Sequence, residues 1–344
     1  MHEAFRVGLT RDFLRSDGTF GYGDIGLAML EAQPGITWEF LAEDTRELRA
    51  DQVRGFDALL VLAPRITAET LAGADRLALV ARFGVGYDTV DLDACTAHGV
   101  LVTITPDGVR RPMATAALTL LLALSHRLMD KAELARAGRW ADKLDYMGTG
   151  LTGRTLGLLG FGSIGREISR LARPLEFNQI AFDPYASPEA AAGIGVALVD
   201  LDTLLRTADF ICVACALTPE THHLLDAGRL ALVRPSAFLI NIARGPIVDQ
   251  AALTDALREG RLRGAGIDVF EDEPVDPADP LLALPNVIAT PHALGWSDEC
   301  FAGMGQDACA GIVAVATGQL PRHVINRAVV KGSELAAKLQ RYRA

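Results

Sequence analysis

Arg244, Glu273 and His292 each follow a short apolar segment in the second half of the chain. An arginine fork matches a planar carboxylate better than a lysine does. An imidazole exchanges protons near neutral pH, and a neighbouring carboxylate favours its charged form. If the apolar segments are parallel strands of one sheet, these side chains meet at its carboxyl edge, where ligands bind in open α/β folds. The three residues therefore predict a site that binds an organic anion and transfers a proton.

A glycine-rich motif, GFGSIG, lies upstream and comprises Gly160, Phe161, Gly162, Ser163, Ile164 and Gly165. It follows the apolar segment 155–159 and opens a helical pattern that stops before Pro174. Its glycines allow a tight turn, close approach of a pyrophosphate and close helix–strand packing. Asp183 lies 18 residues after Gly165, where a carboxylate accepts hydrogen bonds from a ribose 2′-hydroxyl and repels a 2′-phosphate. This context predicts NAD, rather than NADP, as the cofactor.

Two series of apolar segments alternate with helical patterns along the chain. The segments are apolar throughout, which is typical of parallel strands covered on both faces. The predicted strands are 5–9, 58–62, 77–82 and 101–104 in the first series and 155–159, 179–183, 210–214, 237–242, 266–269 and 287–290 in the second. The predicted helices between them are 26–31, 68–71, 91–98, 164–172, 200–206 and 250–259. The alternation predicts an α/β protein with two doubly wound, Rossmann-like domains.

Two long apolar helices are predicted near the boundaries between the two series. The first, 112–127, is apolar nearly all round, which is typical of a helix buried on all sides, and Pro112 suits its first position. The second, 297–317, follows the last predicted strand. We therefore predict that the second unit is inserted into the first and that the C-terminal tail returns to the N-terminal domain.

The composition of the chain argues against several classes of protein. The 344 residues are half apolar and carry a formal net charge of −10, so the chain has no basic footprint for nucleic acid and no basic run suited to an anionic membrane. Charges interrupt the N-terminal apolar stretch too early for a signal peptide, and the longest uncharged runs, about 14 residues, are too short to span a bilayer. Five scattered cysteines favour a reducing cytoplasm over a disulfide framework.

Neither a CxxC motif nor a pair of histidines predicts a metal site. Cys212 and Cys215 are three residues apart on one predicted strand, so they point to opposite faces. His222 and His223 are adjacent, and no acidic or cysteine residue flanks them. We therefore expect no bound metal.

Taken as a set, these motifs resemble the D-isomer-specific 2-hydroxyacid dehydrogenase family, from ARFGVGYDTVDLDA at 81–94 through the C-terminal tail. The resemblance implies a flavodoxin-like substrate domain made of 1–103 and 297–344, an NAD-binding domain at 104–296 inserted into it, and a homodimer formed largely through the NAD-binding domains. It also implies an NAD-dependent oxidoreductase that transfers a hydride between nicotinamide and a small 2-keto or 2-hydroxy acid of D configuration.

The resemblance further implies a role for each residue of the site. Arg244 would bind the substrate carboxylate and polarise the keto oxygen. His292 would be the general acid and base, with Glu273 as its partner. Backbone N–H groups near Val85 and Gly86 would hold the substrate carboxylate in the interdomain cleft. The cofactor contacts implied beyond the glycine-rich motif and Asp183 are Asp268, which would hold the nicotinamide carboxamide, and Ala216, Thr221, Ile242, Ala243 and Gly295.

Several alternatives remain open. The same fold serves as an NAD-sensing corepressor in some relatives, and a phosphite-type dehydrogenase would keep the same three residues. A formate-type enzyme is disfavoured, because such enzymes tend to have Gln where Glu273 stands. Arg110 and Arg111 are either a solvated pair or, with Arg111 as the candidate, a contact to a second polar group of the substrate. The polar segments 11–24 and 140–150 either set substrate specificity or form surface loops.

Overall fold

The computed structural model describes residues 4–342, which form two compact units. One unit contains the chain up to Val109 and from Trp296 onward, and the other contains Arg110–Gly295. The predicted domain boundaries lie at 103/104 and 296/297. The ends of the predicted substrate domain, 1–3 and 343–344, lie outside the described residues.

The elements alternate between strand and helix through most of both units. The strands are β1 Phe5–Leu9, β2 Ile36–Phe40, β3 Ala58–Val61, β4 Leu79–Arg82, β5 Leu101–Thr103, β6 Thr155–Leu159, β7 Asn178–Phe182, β8 Ala197–Leu198, β9 Phe210–Val213, β10 Phe238–Asn241, β11 Gly264–Ile267 and β12 Val287–Ala289. The α-helices are α1 Ala28–Glu31, α2 Ala50–Val53, α3 Leu92–Ala97, α4 Pro106–Ser125, α5 Leu128–Arg136, α6 Ser163–Ala172, α7 Pro188–Ala192, α8 Leu201–Thr207, α9 Ala227–Leu230, α10 Gln250–Arg258, α11 Asp298–Ala316 and α12 Ser333–Gln340.

The first unit is built on a five-stranded parallel sheet with the strand order β2-β1-β3-β4-β5. β3 is buried along its whole length, and Leu59, Val80 and Val102 from three neighbouring strands share one apolar core. The sequence analysis does not predict β2. This edge strand alternates half-buried and exposed residues and therefore lacks the apolar run that marks a strand covered on both faces.

The predicted helix 68–71 is wrong, because the chain forms turns there. The Thr70 hydroxyl donates a hydrogen bond to the Leu48 carbonyl at 2.5 Å, and the Thr67 N–H donates to Thr70 Oγ1 at 3.0 Å. Hydroxyl groups that bond nearby backbone offer the chain an alternative to helical hydrogen bonds. Gly73 then continues the turn with a φ of 74°, a conformation that favours glycine.

The second unit contains a seven-stranded parallel sheet with the order β12-β11-β10-β9-β6-β7-β8. The chain runs outward from β6 to β8 and then crosses to β9, on the other side of β6. The strand order therefore reverses between β6 and β9, and the carboxyl edge at such a switch point is where open α/β sheets bind ligands. Leu158 and Leu159 of β6 belong to two different apolar cores, so both faces of the sheet are covered, as expected for parallel strands.

One strand of this sheet begins two residues before its predicted start. β11 covers Gly264–Ile267, whereas the sequence predicts 266–269. A Cβ atom on Gly266 would lie 2.9 Å from Cβ of Leu120, so glycine is required for α4 to pack closely on the strand. The shift leaves Asp268 beyond the strand, at the carboxyl edge of the sheet.

Helix α4 begins six residues before the predicted start, and Pro112 lies inside it rather than at its first position. Pro106 occupies the first position instead, where a missing N–H costs nothing. The helix is also not buried on all sides, because Arg111, Thr115 and Thr119 form an exposed stripe. The Thr115 hydroxyl donates to the carbonyl of Pro112 at 2.8 Å, so it is hydrogen-bonded within the helix and needs no polar partner from another element.

Among residues 4–342, no single helix has both the length and the apolar composition to cross a membrane. Helices α4 and α5 reach that criterion only when taken together, with a bend of 59° between them.

Candidate active site

The glycine-rich loop joins β6 to α6 at the switch point of the second sheet. Gly160 has a φ of 96°, and a Cβ there would lie 2.6 Å from the backbone nitrogen of Cys215. A Cβ on Gly165 would collide with the carbonyl oxygen of Gly160, whereas nothing lies within 4 Å of a Cβ on Gly162. The outer glycines therefore allow close packing, and the middle one faces open space. This arrangement fits a pyrophosphate lying against the backbone of Gly162.

Two further features of the loop fit a dinucleotide. Gly162 is the N-cap of α6 and supplies no side chain to its first N–H groups, which suits an anion at the positive end of the helix. Asp183 follows β7, and its carboxylate accepts hydrogen bonds from the N–H groups of Phe161 at 2.8 Å and Tyr185 at 2.9 Å. The Asp183 carboxylate is therefore held beside the glycine-rich loop, as a ribose-binding group requires.

His292 and Glu273 form a hydrogen-bonded pair. Nδ1 of His292 lies 2.7 Å from Oε2 of Glu273, and both side chains are roughly 40 per cent exposed, at 43% and 37%. The Phe270 N–H donates to the other carboxylate oxygen of Glu273 at 3.0 Å. Glu273 thus holds the imidazole by one oxygen while its own loop fixes the second oxygen.

The surroundings of Glu273 favour the ionised form of its carboxyl group. Burial opposes its charge, but the hydrogen bonds from His292 and Phe270 and the nearby charges of His292 and Arg244 outweigh burial and lower the pKa of Glu273 below its ordinary value. A carboxylate that stays charged stabilises an adjacent imidazolium. The pair is therefore suited to holding a proton on His292.

The backbone of His292 has a φ of 54°, which is uncommon for a residue with a side chain. Asp268, which is 1% exposed, accepts hydrogen bonds from the Thr290 hydroxyl at 2.7 Å and from the N–H groups of Ala293 and Leu294 at 3.1 Å each. Burial raises the pKa of Asp268, and these hydrogen bonds partly offset that effect. Asp268 therefore anchors the loop that presents His292, a role that the sequence analysis missed because no local pattern links the two segments.

Arg244 lies in the turn after β10. Asn241, which is 1% exposed, donates from Nδ2 to the carbonyl of Arg244 at 3.0 Å and accepts from the Ala243 N–H at 3.1 Å. A Cβ on Gly245 would collide with the backbone of Phe270, so the turn packs directly on the segment that leads to Glu273. The sequence analysis assigned Asn241 no role, and only the structure shows that it shapes this turn.

The remaining predicted cofactor residues lie on the same unit as the glycine-rich loop. The Thr221 hydroxyl donates to the carbonyl of Ala216 at 2.7 Å, which brings these two residues together in the loop after β9. Ile242 is buried at the end of β10, and the Ala243 carbonyl accepts from Nη1 of Arg244 at 2.8 Å. Gly295 is also buried, and a Cβ there would collide with the sulfur of Met113.

Other predicted residues lie apart from this group. Val85 and Gly86 are in the first unit, in the loop after β4. Arg111 lies on α4 and pairs with Glu167 of α6, with 3.4 Å between Nη1 and Oε1. Glu167 also pairs with Arg170 at 2.6 Å, so the contacts of Arg111 run along α6.

His223 has an acidic partner that the sequence analysis did not foresee. Its Nε2 lies 2.7 Å from Oε1 of Glu271, which is 48 residues away in the chain. The sequence analysis considered only flanking residues, whereas the partner comes from the segment after β11, a strand that β10 separates from β9. The second unit therefore contains two His–Glu pairs, and both glutamates come from the segment after β11.

Comparison with known proteins identifies the family. The family model described as "D-isomer specific 2-hydroxyacid dehydrogenase, NAD binding domain" matches residues 118–293, about half of the chain. The chain belongs to this family. It is similar to a glyoxylate reductase of Thermococcus onnurineus, with 38% identity over 313 residues that cover 89% of this chain and 93% of the relative. It is also similar to a D-3-phosphoglycerate dehydrogenase of Archaeoglobus fulgidus, with 35% identity over 87% of this chain and 57% of the relative.

A solved structure supports the same assignment. A D-lactate dehydrogenase from Aquifex aeolicus, complexed with NAD and lactic acid, superposes with a TM-score of 0.79 and 25% identity, covering 91% of this chain and 96% of that chain. The predicted two-domain, Rossmann-like fold is confirmed, and so is the predicted NAD-dependent 2-hydroxyacid dehydrogenase class. The corepressor and phosphite alternatives are not favoured by these relatives.

Proposed function

We propose that this dehydrogenase works as a reductase of small 2-keto acids, such as glyoxylate, and uses NADH in preference to NADPH. The observation that carries the proposal is the 2.7 Å hydrogen bond between His292 and Glu273, on the same sheet edge as Arg244 and Asp183. The similarity of the chain to glyoxylate reductases supports the substrate class.

Proton transfer falls to His292 in this proposal. Its Nδ1 is engaged by Glu273, so Nε2 is the ring nitrogen that meets the substrate. Reduction of a keto group adds a hydride to carbon and a proton to oxygen, and the bound nicotinamide supplies the hydride. The imidazolium of His292 gives its Nε2 proton to the oxygen, and Glu273 stabilises the charged ring before transfer.

Arg244 orients the substrate. Its guanidinium binds the carboxylate of the keto acid by two parallel hydrogen bonds and polarises the neighbouring keto oxygen. Asn241 fixes the backbone turn at Arg244, with a hydrogen bond of 3.0 Å to the Arg244 carbonyl. Nη1 of Arg244 donates to the Ala243 carbonyl at 2.8 Å, so less side-chain freedom is lost on binding.

The cofactor would be held by the glycine-rich loop at its pyrophosphate and by Asp183 at the adenosine ribose. We assign the carboxamide contact to Asp268, and the remaining contacts to the loop residues Ala216 and Thr221 and to the segment after β10, Ile242 and Ala243, with Gly295 beside them. Asp183 underlies the NADH preference, because its carboxylate repels the 2′-phosphate of NADPH. The predicted substrate contact of Val85 and Gly86 stays a prediction. The ion pair between Arg111 and Glu167 supports a structural role for Arg111 rather than a contact with the substrate.

We also propose a homodimer in the cytoplasm. Several large apolar side chains of the second unit are exposed between residues 128 and 147: Leu128 56%, Met129 57%, Trp140 70%, Leu144 76% and Met147 72%. Clustered exposed apolar side chains usually mark an interface, and we assign this one to a second copy of the chain. Light scattering of the Trp140→Glu, Leu144→Glu variant tests the dimer, since an unchanged mass would contradict this interface.

The five cysteines are free, which suits the proposed location in a reducing compartment.

A substrate panel tests the catalytic proposal. Consumption of NADH and of NADPH would be followed with glyoxylate, hydroxypyruvate and pyruvate, and phosphite with NAD⁺ would be the competing reaction. We expect NADH-dependent reduction of at least one keto acid. Tight NADH binding without turnover of any keto acid would overturn the proposal and point to a sensor, and turnover of phosphite alone would point to that alternative chemistry.

A further inference from the structure

The second His–Glu pair, His223 and Glu271, lies outside the reaction described above but is bonded to the segments next to Arg244 and Glu273. The two side chains are 39% and 31% exposed, and their 2.7 Å separation matches that of His292 and Glu273. His223 has a φ of 47°, a left-handed conformation that a residue with a side chain adopts only when its surroundings hold it there. The pair therefore has a structural cost that its local sequence does not explain.

Two backbone hydrogen bonds join the loop that contains His223 to the segment that follows Arg244. The His223 N–H donates to the carbonyl of Pro246 at 2.7 Å, and the Leu225 N–H donates to the carbonyl of Ile247 at 3.0 Å. Pro246 is only two residues from Arg244. The backbone at His223 is thus fixed relative to the turn that presents the guanidinium.

The same carboxylate oxygen of Glu271 that pairs with His223 is also bonded to the start of α10. Its Oε1 accepts from the Gln250 N–H at 3.2 Å, and its own N–H donates to Oε1 of Gln250 at 3.1 Å. Glu271 is two residues before Glu273, and the backbone of Gly245 is packed directly on Phe270 and Glu271. The carboxylate of Glu271 therefore joins three segments: the His223 loop, the Arg244 turn with its following helix, and the Glu273 segment.

We infer that His223 and Glu271 form a positioning pair that sets the distance between Arg244 and Glu273, and through Glu273 the place of His292. The inference rests on the proposed function. The hydrogen bond between His223 and Glu271 adds a link through the His223 loop to the Gly245–Phe270 backbone contact and to the hydrogen bonds between Gln250 and Glu271. Without it, the Arg244 turn and the Glu273 segment keep those contacts but lose the link through the His223 loop, which shares backbone hydrogen bonds with the segment after Arg244. Arg244 would then meet the substrate carboxylate in a less constrained geometry.

The test compares two substitutions of His223 that require the same left-handed backbone conformation at this position. His223→Leu removes the hydrogen bond, whereas the amide nitrogen of His223→Gln reaches the position of Nε2 and can donate to Glu271. Both place a Cβ at the left-handed φ, so backbone strain is matched. His222→Leu is the control, because His222 is exposed and its ring stacks on His223 at 4.2 Å without belonging to the pair.

For His223→Leu we expect kcat/KM for the keto acid to fall roughly 10- to 100-fold, with the rise in KM larger than the fall in kcat, because misplaced binding groups weaken substrate orientation. The Kd for NADH should stay within about twofold, and His223→Gln should recover most of the loss. His222→Leu should match the wild-type enzyme. If His223→Leu does not fold, Glu271→Gln, which keeps the shape of the side chain, should show a smaller loss in the same direction.

Three results would overturn the inference. One is wild-type kcat/KM in His223→Leu, or in Glu271→Gln where that variant stands in. The second is equal impairment of the Leu and Gln variants at His223, which would show that the hydrogen bond is not what matters. The third is a parallel loss of NADH binding, which would assign the loop to the cofactor. Failure of the wild-type enzyme to reduce any keto acid would instead contradict the proposed function.

Discussion

The two His–Glu pairs of the NAD-binding unit are alike in most local respects. Each pair is 2.7 Å apart, each histidine has a left-handed backbone, and all four side chains are partly exposed. They differ in the ring nitrogen that is used. Glu273 engages Nδ1 of His292, whereas Glu271 engages Nε2 of His223.

The difference shows that the chemistry of a pair depends on the segments that it joins. His292 lies three residues beyond the end of β12, whereas His223 lies ten residues beyond the end of β9 and bridges two loops. In the proposed function the first pair keeps Nε2 of His292 for proton transfer, whereas Nε2 of His223 is bonded to Glu271 and joins two loops.

Removal of the His292 ring should give the largest effect. In His292→Ala the group that supplies the proton is lost, and we expect kcat for keto-acid reduction to fall roughly 10²–10⁴-fold. NADH binding, followed by fluorescence titration, should change little. A loss no greater than that of His223→Leu would remove the distinction between a catalytic and a positioning pair.

Glu273→Gln should move the pH profile. The protonated ring is the active form in reduction, and the carboxylate favours that form. Its replacement should shift the limb on which activity falls with rising pH to lower pH. Because the pKa of Glu273 lies below its ordinary value, Glu273 itself stays ionised across this range.

The matched measurement is the pH profile of Glu271→Gln. It should keep the wild-type position on the pH axis while KM rises, since Glu271 does not contact the proton donor. A pH shift of the same size in both variants would contradict the assignment of separate roles.

Asp183→Ala should change the choice of cofactor without affecting either pair. Removal of the carboxylate relieves repulsion of the 2′-phosphate and deletes a ribose acceptor, so the ratio of kcat/KM for NADH to that for NADPH should fall roughly 10- to 100-fold. The comparison uses one keto acid at saturation. Equal efficiency of the two cofactors in the wild-type enzyme would contradict the role of Asp183.

Asp249→Ala should have the smallest effect on activity. Asp249 caps α10 by accepting a hydrogen bond from the Ala252 N–H at 2.9 Å, and this helix begins with the Gln250 that bonds Glu271. Loss of the cap should cost about 1 kcal/mol of stability and lower Tm by about 2–4 °C. Because the loops keep their mutual contacts, kcat/KM should stay within about twofold. A loss as large as that of His223→Leu would make simple destabilisation the better explanation of both.

Local patterns accounted for the strands that are buried on both faces and for the glycine-rich loop. The run 155–159 is observed as β6 with the same limits, because a covered parallel strand is apolar at every position. β2 was not predictable in this way, since an edge strand exposes alternate residues. The sequence predicts the start of β11 two residues late, at 266, and in the structure Gly266 admits the close approach of Leu120.

The sequence by itself determined which chemical groups are present and the order along the chain of the strands that carry them. Arg244, Glu273, His292 and Asp183 follow apolar runs, and parallel strands bring their carboxyl ends to one edge. Only the tertiary structure decided which groups touch. Asp268 bonds the loop of His292 from 22 residues away, and Glu271 meets His223 from 48 residues away. No local pattern encodes these contacts, because side chains on separate strand ends meet only after the sheet has set the spacing between them.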